Sequence, residues 1–302
     1  MVRSNNTRHQ AQLRPKTAIA RAKTSRARAT LMPQHGHHHD PLQGVCRWWR
    51  RKMNRKFGGK KIWVIGGARG MGLALAKILA AAGARVIVSA RTDSRHHDFP
   101  HQFLPLDVSN IPALKRACQS QKDLDGVIYM SGLHQQSLVA DMDERHLLDM
   151  VAVNIQAPTL VAKWLGPVIQ HRRGFFAICG SQTSFVGAPL GQPYSASKAY
   201  LKNLVETLAM ELDRASIYLL APGFVRTDLV KSITMPMPFT LEPAVAALGF
   251  AKGLAGGVIG QKMVIEFPFI ITLFPPLWHH TPLWLRRLLW RAVRNKIVTP
   301  HH

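Results

Sequence analysis

The sequence predicts an α/β protein built on a doubly wound parallel sheet, in one domain with a basic N-terminal arm and an amphipathic C-terminal extension. Three observations predict it. Runs of strand length alternate with stretches of helical length, and the runs are continuously apolar, as strands covered on both faces require. A glycine cluster leaves the first run and opens the first helix. No linker interrupts residues 62–267, so one sheet of about seven strands is the economical arrangement.

The elements follow in order along the chain. KIWVIGG, from Lys61, reads as a short buried strand ending in glycine. GMGLALAKILAAAG (70–83) has the composition of a packed helix closed by Gly83. ARVIVSA (84–90) is a second strand, HQFLPLDV (101–108) contains a third, and residues 126–131 give a fourth. Asp143 to Ala157 is predicted helical, and Gly174 precedes the strand FFAICGS. Residues 194–213 have the length of a long helix, SIYLLAPG is another strand, and KMVIEF near 262–267 is the last.

Charge is segregated. Of 40 Lys and Arg against 16 Asp and Glu, residues 1–61 hold 16 basic side chains and one acid, Asp40. Residues 282–302 hold five basic side chains and no acid, which leaves 62–281 near balance with 19 and 15. The net charge of +24 therefore belongs to two ends attached to an ordinary middle. Residues 1–60 form the basic arm, expected to be disordered over its first 40 residues for want of apolar periodicity. WWRRKMNRKF (48–57) reads as an ordered approach to the fold or a surface contact. The arm is Arg-rich and acid-poor, as organellar targeting peptides are, but it has no apolar core of a secretory signal. Cys46, Cys118 and Cys179 match no metal-ligand spacing and give no disulfide framework, so a reducing, cytoplasmic setting is the default. The basic ends carry no aromatic RNA-binding motif or zinc arrangement, so no specific nucleic acid is expected.

IGGARGMG places Gly66, Gly70 and Gly72, with Arg69 and Met71 between them, where a strand hands over to a helix. Glycines there admit a pyrophosphate close to the backbone, and the helix N-terminus faces its negative charge. An NAD site wants a carboxylate at the end of the second strand, but Ser89-Ala90-Arg91 stands there. Arg69 and Arg91 are suited instead to a 2′-phosphate, which favours NADP (NADPH) over NAD. Asp107 closes the third strand, as an acceptor for adenine or as a turn cap.

In YSASK, Tyr194 and Lys198 are four apart and share a helix face. A phenol with a pKa near 10 is a weak acid, and a neighbouring ammonium is expected to lower that value. Tyr194 then gives a proton to a carbonyl oxygen in reduction and takes it back in oxidation. The alternative is an ordinary tyrosine and lysine on a solvated helix. Ser181 weighs against it: thirteen residues earlier, it ends the strand FFAICGS, where strand ends face a ligand crevice. Its own alternative is a turn cap.

With those residues in place, the chain from about Lys60 to Phe267 closely resembles the classical short-chain dehydrogenase/reductase family. The resemblance rests on GGARGMG, LDV at 106–108, Asn154 in VAVNI, Ser181, YSASK and APGFVRT at 221–227. It implies a Rossmann-like fold and a catalytic tetrad of Asn154, Ser181, Tyr194 and Lys198. It also implies that Gly132, Pro222, Gly223 and Thr227 meet the cofactor, and that the protein is a homodimer or homotetramer. Two departures stand out. Ile65 replaces the threonine that often starts the glycine motif, and Tyr129-Met130-Ser131-Gly132 replaces Asn-Asn-Ala-Gly, which puts support of the central strand in doubt.

The resemblance places substrate selection between Ser181 and Tyr194 and in the loop after Thr227. Phe185, Val186, Leu190, Phe224, Met235 and Met237 offer an apolar, adaptable wall. The expected reaction is NADPH-dependent reduction of a ketone or aldehyde of an apolar small molecule to an alcohol, reversible in principle. The alternative is an NADP-binding regulatory or scaffold module without turnover, against which the four filled catalytic positions speak. In the extension, 268–302, PLWLRRLLWRAVRNKIV has helical apolar spacing with arginines between. It suits either an anionic membrane surface or an apolar stripe docked on the core or a subunit.

Overall fold

The computed structural model describes residues 40–92, 99–230, 233, 237, 239–256, 263–268 and 274–297. Seven parallel strands form one sheet: β1 (Lys61–Ile65), β2 (Arg85–Ala90), β3 (Gln102–Pro105), β4 (Gly126–Tyr129), β5 (Phe175–Cys179), β6 (Ser216–Pro222) and β7 (Val264–Phe267). Their order across the sheet is β3-β2-β1-β4-β5-β6-β7. The expected doubly wound α/β architecture is therefore present. The direction of winding reverses between β1 and β4, where Ile62 lies opposite Gly126 and Ile65 opposite Tyr129. Ligand crevices open at the C-terminal strand ends of such a switch.

Alternate residues of β1 explain the two layers. Ile62 and Val64 join one core with Met53, Phe57, Leu75, Leu79, Phe250 and Leu254. Trp63 and Ile65 join the other with Leu114, Val161, Leu165, Leu201 and Val205. The first face is covered by helices α1 (Arg47–Phe57), α2 (Gly70–Ala81) and α7 (Pro243–Gly256), the second by α3 (Ile111–Ser120), α5 (Ala157–His171) and α6 (Tyr194–Glu211). The buried indole of Trp63 is satisfied by donating to Ser89 Oγ at 2.8 Å.

Several elements depart from the sequence expectation. The helix expected from Asp143 to Ala157 starts on Asp143, whose side chain accepts from His146 N–H and caps α4 (Glu144–Val151). It then runs through a π turn, Ala152–Gln156, into α5. The extra residue arises because Ala157 N–H bonds Ala152 O five residues back. Residues 1–39 of the basic arm lie outside the described residues. Beyond them α1 packs on the fold, with Met53 and Phe57 wholly buried. Its approach is pinned by Asp40, which accepts from Leu42 N–H and pairs with Arg50. After β7 come α8 (Phe274–His280) and α9 (Leu283–Ile297).

Asp125 joins three elements just before β4. Its carboxylate accepts from Lys61 N–H at 2.9 Å and from Arg172 Nη2 at 2.8 Å. Burial raises its pKa, but the Lys61 amide, Arg172 and Lys60 together hold it below the ordinary 3.8. A lowered carboxylate stabilises the fold above its unfolded pKa and loses that contribution as pH falls through the folded value. Asp125→Asn is expected to cost about 2 kcal/mol at neutral pH, discounted for the partly exposed arginine. Thermal melts from pH 7 down to pH 2 check this: the gap between variant and parent should close in acid.

Candidate active site

The turn after β1 is built for close approach. Gly66 has φ +87°, and a Cβ there would lie 2.7 Å from Ser131 N, so only glycine lets the turn rest on the end of β4. Gly66 and Gly67 both donate to Ser89 O, at 2.7 and 3.2 Å. That carbonyl braces the turn where Ile65 has no hydroxyl to offer. A Cβ on Gly72 would stand 2.3 Å from Gly66 O, which fixes the closeness of α2 to the turn. No side chain caps the N-terminus of α2, and its first turn holds no acid, so its amide groups face the crevice for an anion. A glycine cradle over an uncapped helix end fits a dinucleotide pyrophosphate.

The other expected cofactor residues gather unevenly around this cradle. Thr227 Cγ2 is 3.2 Å from where a Cβ on Gly70 would be, which brings APGFVRT over the glycine turn. Pro222 ends β6, and Gly223 N–H donates to Phe267 O at 3.0 Å. Arg69 is exposed and 3.9 Å from Asp228; Arg91 is exposed just beyond β2. Met71 packs partly against the core. Asp107 lies two residues beyond β3 rather than closing it, and its Oδ1 accepts from Ser109 N–H (3.0 Å) and Oγ (2.7 Å). Its Oδ1 thus caps a turn. Thr227 also lines a cleft of about 430 Å³ with Gly70, Arg226, Val230, Ile233 and Met237. Met235 lies outside the described residues.

Asn154, Ser181, Tyr194 and Lys198 converge beyond the ends of β4 and β5. Asn154 stands in the π turn, fully buried, where it accepts from Leu133 N–H (2.8 Å) and donates to Leu133 O (2.9 Å) and Ser197 Oγ (3.0 Å). Ser197 Oγ in turn donates to Tyr194 O at 2.7 Å. One asparagine thereby ties the loop after β4 to the first turn of α6. A Cβ on Gly132 would sit 3.5 Å from Lys198 Nζ and 3.6 Å from Asn154 Oδ1, so the loop passes tightly over both. The Lys198 ammonium is buried and donates to Cys179 O at 2.8 Å.

Ser181 plays both parts weighed from sequence. It caps a short 3₁₀ turn, accepting from Thr183 N–H at 3.2 Å, and its hydroxyl is near enough to Tyr194 to lower the pKa of the phenol. The acidity of Tyr194 runs opposite to expectation. Burial pushes its pKa above 10.0, the neighbouring Cys179 adds to the rise, and the Ser181 hydrogen bond opposes it. Lys198 Nζ stands 5.5 Å from the ring centroid and is itself lowered by burial. Desolvation is the largest influence on the phenol.

Two residues had no site role in the sequence reading. Tyr129, in place of the first asparagine of the usual motif, is buried and donates to Val153 O at 2.6 Å. It joins the central strand to the π turn beside Asn154, which supplies the support that the altered motif put in doubt. His134 meets Tyr194 edge to face, with ring centroids 4.7 Å apart. Its Nδ1 is buried without a hydrogen-bond partner among the described residues, and burial lowers its pKa. Its nearness to Gly132 was a signal in sequence, but its contact with a ring sixty residues later was not.

A dinucleotide cradle beside a phenol, a hydroxyl and a buried ammonium defines an oxidoreductase that works on a carbonyl or alcohol with a nicotinamide cofactor. Residues 60–237 match the model of the short chain dehydrogenase family, and the chain belongs to that family as an NAD(P)-dependent enzyme. Over 210 residues it is 30% identical to Oxidoreductase BOA17 of Botryotinia fuckeliana (strain B05.10), covering 64% of this chain and 76% of that protein. It is 28% identical over 199 residues to the 5-keto-D-gluconate 5-reductase of Escherichia coli (strain K12), covering 60% and 78%. In fold it is similar to a gluconate 5-dehydrogenase from Burkholderia cenocepacia J2315 solved with NADP and tartrate. The TM-score is 0.66 at 19% identity, over 74% of this chain and 99% of that one.

Proposed function

We propose that the protein reduces the carbonyl of an apolar small molecule with NADPH, Tyr194 acting as the general acid. The observation that carries this reading is the convergence of Asn154, Ser181, Tyr194 and buried Lys198 beyond β4 and β5, with Asn154 tied to the first turn of α6 and the Gly132 loop passing over Asn154 and Lys198. Gly66, Gly70, Gly72, Gly132, Pro222, Gly223 and Thr227 would hold the dinucleotide, which when bound would supply the hydride for the carbonyl carbon. Ser181 Oγ holds the carbonyl oxygen in line with the phenol. Tyr194 gives that oxygen its proton, and the phenolate left behind is stabilised by Lys198 and reprotonated from solvent. Asn154 positions this group by holding the Leu133 loop and Ser197.

Arg69 and Arg91 at the cofactor edge, with Ala90 in place of an acid, support NADPH over NADH. NADP in the solved Burkholderia relative agrees. Val230, Ile233 and Met237 along the cleft support an apolar substrate body, and His134 Nδ1, buried and unpartnered among the described residues, is a polar group that can meet its other end. Exposed Leu148, Val151 and Met210 on α4 and α6 support a homo-oligomer. A cytoplasmic location remains part of this reading.

Loss of reduced-cofactor absorbance, followed with NADPH or NADH against a panel of apolar ketones and aldehydes, tests the proposal. Turnover is expected with NADPH, and His134→Phe is expected to raise KM severalfold with kcat little changed. Consumption with NADH alone overturns the cofactor preference.

A further inference from the structure

Helix α9 carries an apolar face that nothing in the described residues covers. Trp284 is 66% exposed, Leu288 56% and Leu289 47%. At 100° per residue Trp284, Leu288 and Leu289 share one side of the helix, and Arg287, Arg291 and Arg294 form a stripe along its border. All three arginines are exposed, and the helix holds no acid. The turn from α8 is fixed by Arg286, whose Nε donates to Thr281 O at 2.8 Å and whose guanidinium lies 5.4 Å from the Trp278 ring centroid. The face is presented on a defined turn. Of the two sequence readings for this stretch, docking of the stripe on the core does not describe these exposed side chains.

We infer that α9 docks the protein on an anionic phospholipid surface, lying in the plane of the headgroups. Charge and apolar face together select this occupant. A second copy joined through the same face would bring arginine stripes together with no acid on either helix to offset them. A nucleic acid would satisfy the arginines but offer no hydrocarbon to Leu288 and Leu289. A bilayer presents anionic charge immediately above hydrocarbon, and tryptophan suits the boundary between them. Fifteen residues at 1.5 Å rise give a helix of about 22 Å, shorter than a crossing. Among the described residues no helix is long and apolar enough to cross a membrane.

The test is co-sedimentation of the full chain with phosphatidylcholine vesicles, alone or mixed with phosphatidylserine. Three variants are compared: Leu288→Asp with Leu289→Asp; Arg287→Gln with Arg291→Gln and Arg294→Gln; and, on the exposed face of α1, Arg47→Gln with Arg51→Gln and Arg55→Gln. Thermal melts establish that each is folded. Partitioning to mixed vesicles is expected to fall about 100-fold on loss of the three α9 arginines, and at least tenfold with the aspartates. The α1 variant should keep most of its binding. Wild-type binding by both α9 variants overturns the inference. So does loss of binding in the α1 variant alone, or vesicle binding that duplex DNA displaces while the aspartate variant still binds fully. A drop in sedimentation mass of the aspartate variant without any vesicle binding by the parent assigns the face to a second copy instead.

Discussion

Tyr194→Phe is expected to lower kcat/KM for carbonyl reduction about 1,000-fold while the melting temperature and NADPH affinity stay close to those of the parent. The substitution deletes one hydroxyl and keeps the ring against His134, so packing changes little. Steady-state kinetics with NADPH titrated by fluorescence separates lost chemistry from lost binding. Retained turnover would remove Tyr194 from the role of acid. The pH profile gives a second reading of the same group. Its pKa lies above 10.0 chiefly through burial, with Cys179 adding to the rise and Ser181 opposing it. A general acid works while it holds its proton, so reduction should not decline from loss of that proton below about pH 10. A basic limb centred near pH 7 in kcat/KM would contradict the assignment.

Asn154→Ala is expected to cost about 3 kcal/mol and to lower the melting temperature by about 10 °C, with kcat falling as well. The alanine leaves the N–H and C=O of Leu133 and the hydroxyl of Ser197 to find new partners in a site closed to solvent on the Asn154 side. It also frees the chain on both sides of the reacting groups: Gly132 on one, Tyr194 on the other. Calorimetry and single-turnover kinetics read the two effects separately. An unchanged melt would mean that these three hydrogen bonds contribute no net stability.

The strands were legible because a sheet covered on both faces leaves each central strand apolar throughout: IWV in β1, VIV in β2 and the whole of β5 are buried. Helix α7 went unread for the mirror-image reason. PAVAALGFAKGLAG is small and apolar on nearly every side, so it has little periodicity to find. The glycine cradle and the Tyr194–Lys198 pair were legible because their chemistry depends on near neighbours in sequence. What escaped depended on distance. The contact of His134 with Tyr194 and the bond from Tyr129 to Val153 join separate segments, and no local pattern encodes them. Spacing places the Lys198 charge near Tyr194 but says nothing of how dry the site is, and burial raises the pKa of the phenol. Asp107, read as closing a strand, sits past its end in a turn of its own.

The seating of Leu42, Met53 and Phe57 in the core ties residues 42–57 to the catalytic body. A peptidase acting at any arginine or lysine up to Arg28 would remove up to eight cationic residues and no acid, and would leave each of those three anchors in place. A cut between Arg47 and Lys56 would instead strip apolar cover from α2 and α7 and uncover part of the interior. Cleavage anywhere before Asp40 would thus take up to eight of the sixteen basic residues of 1–61 and keep Leu42, Met53 and Phe57 with the catalytic body.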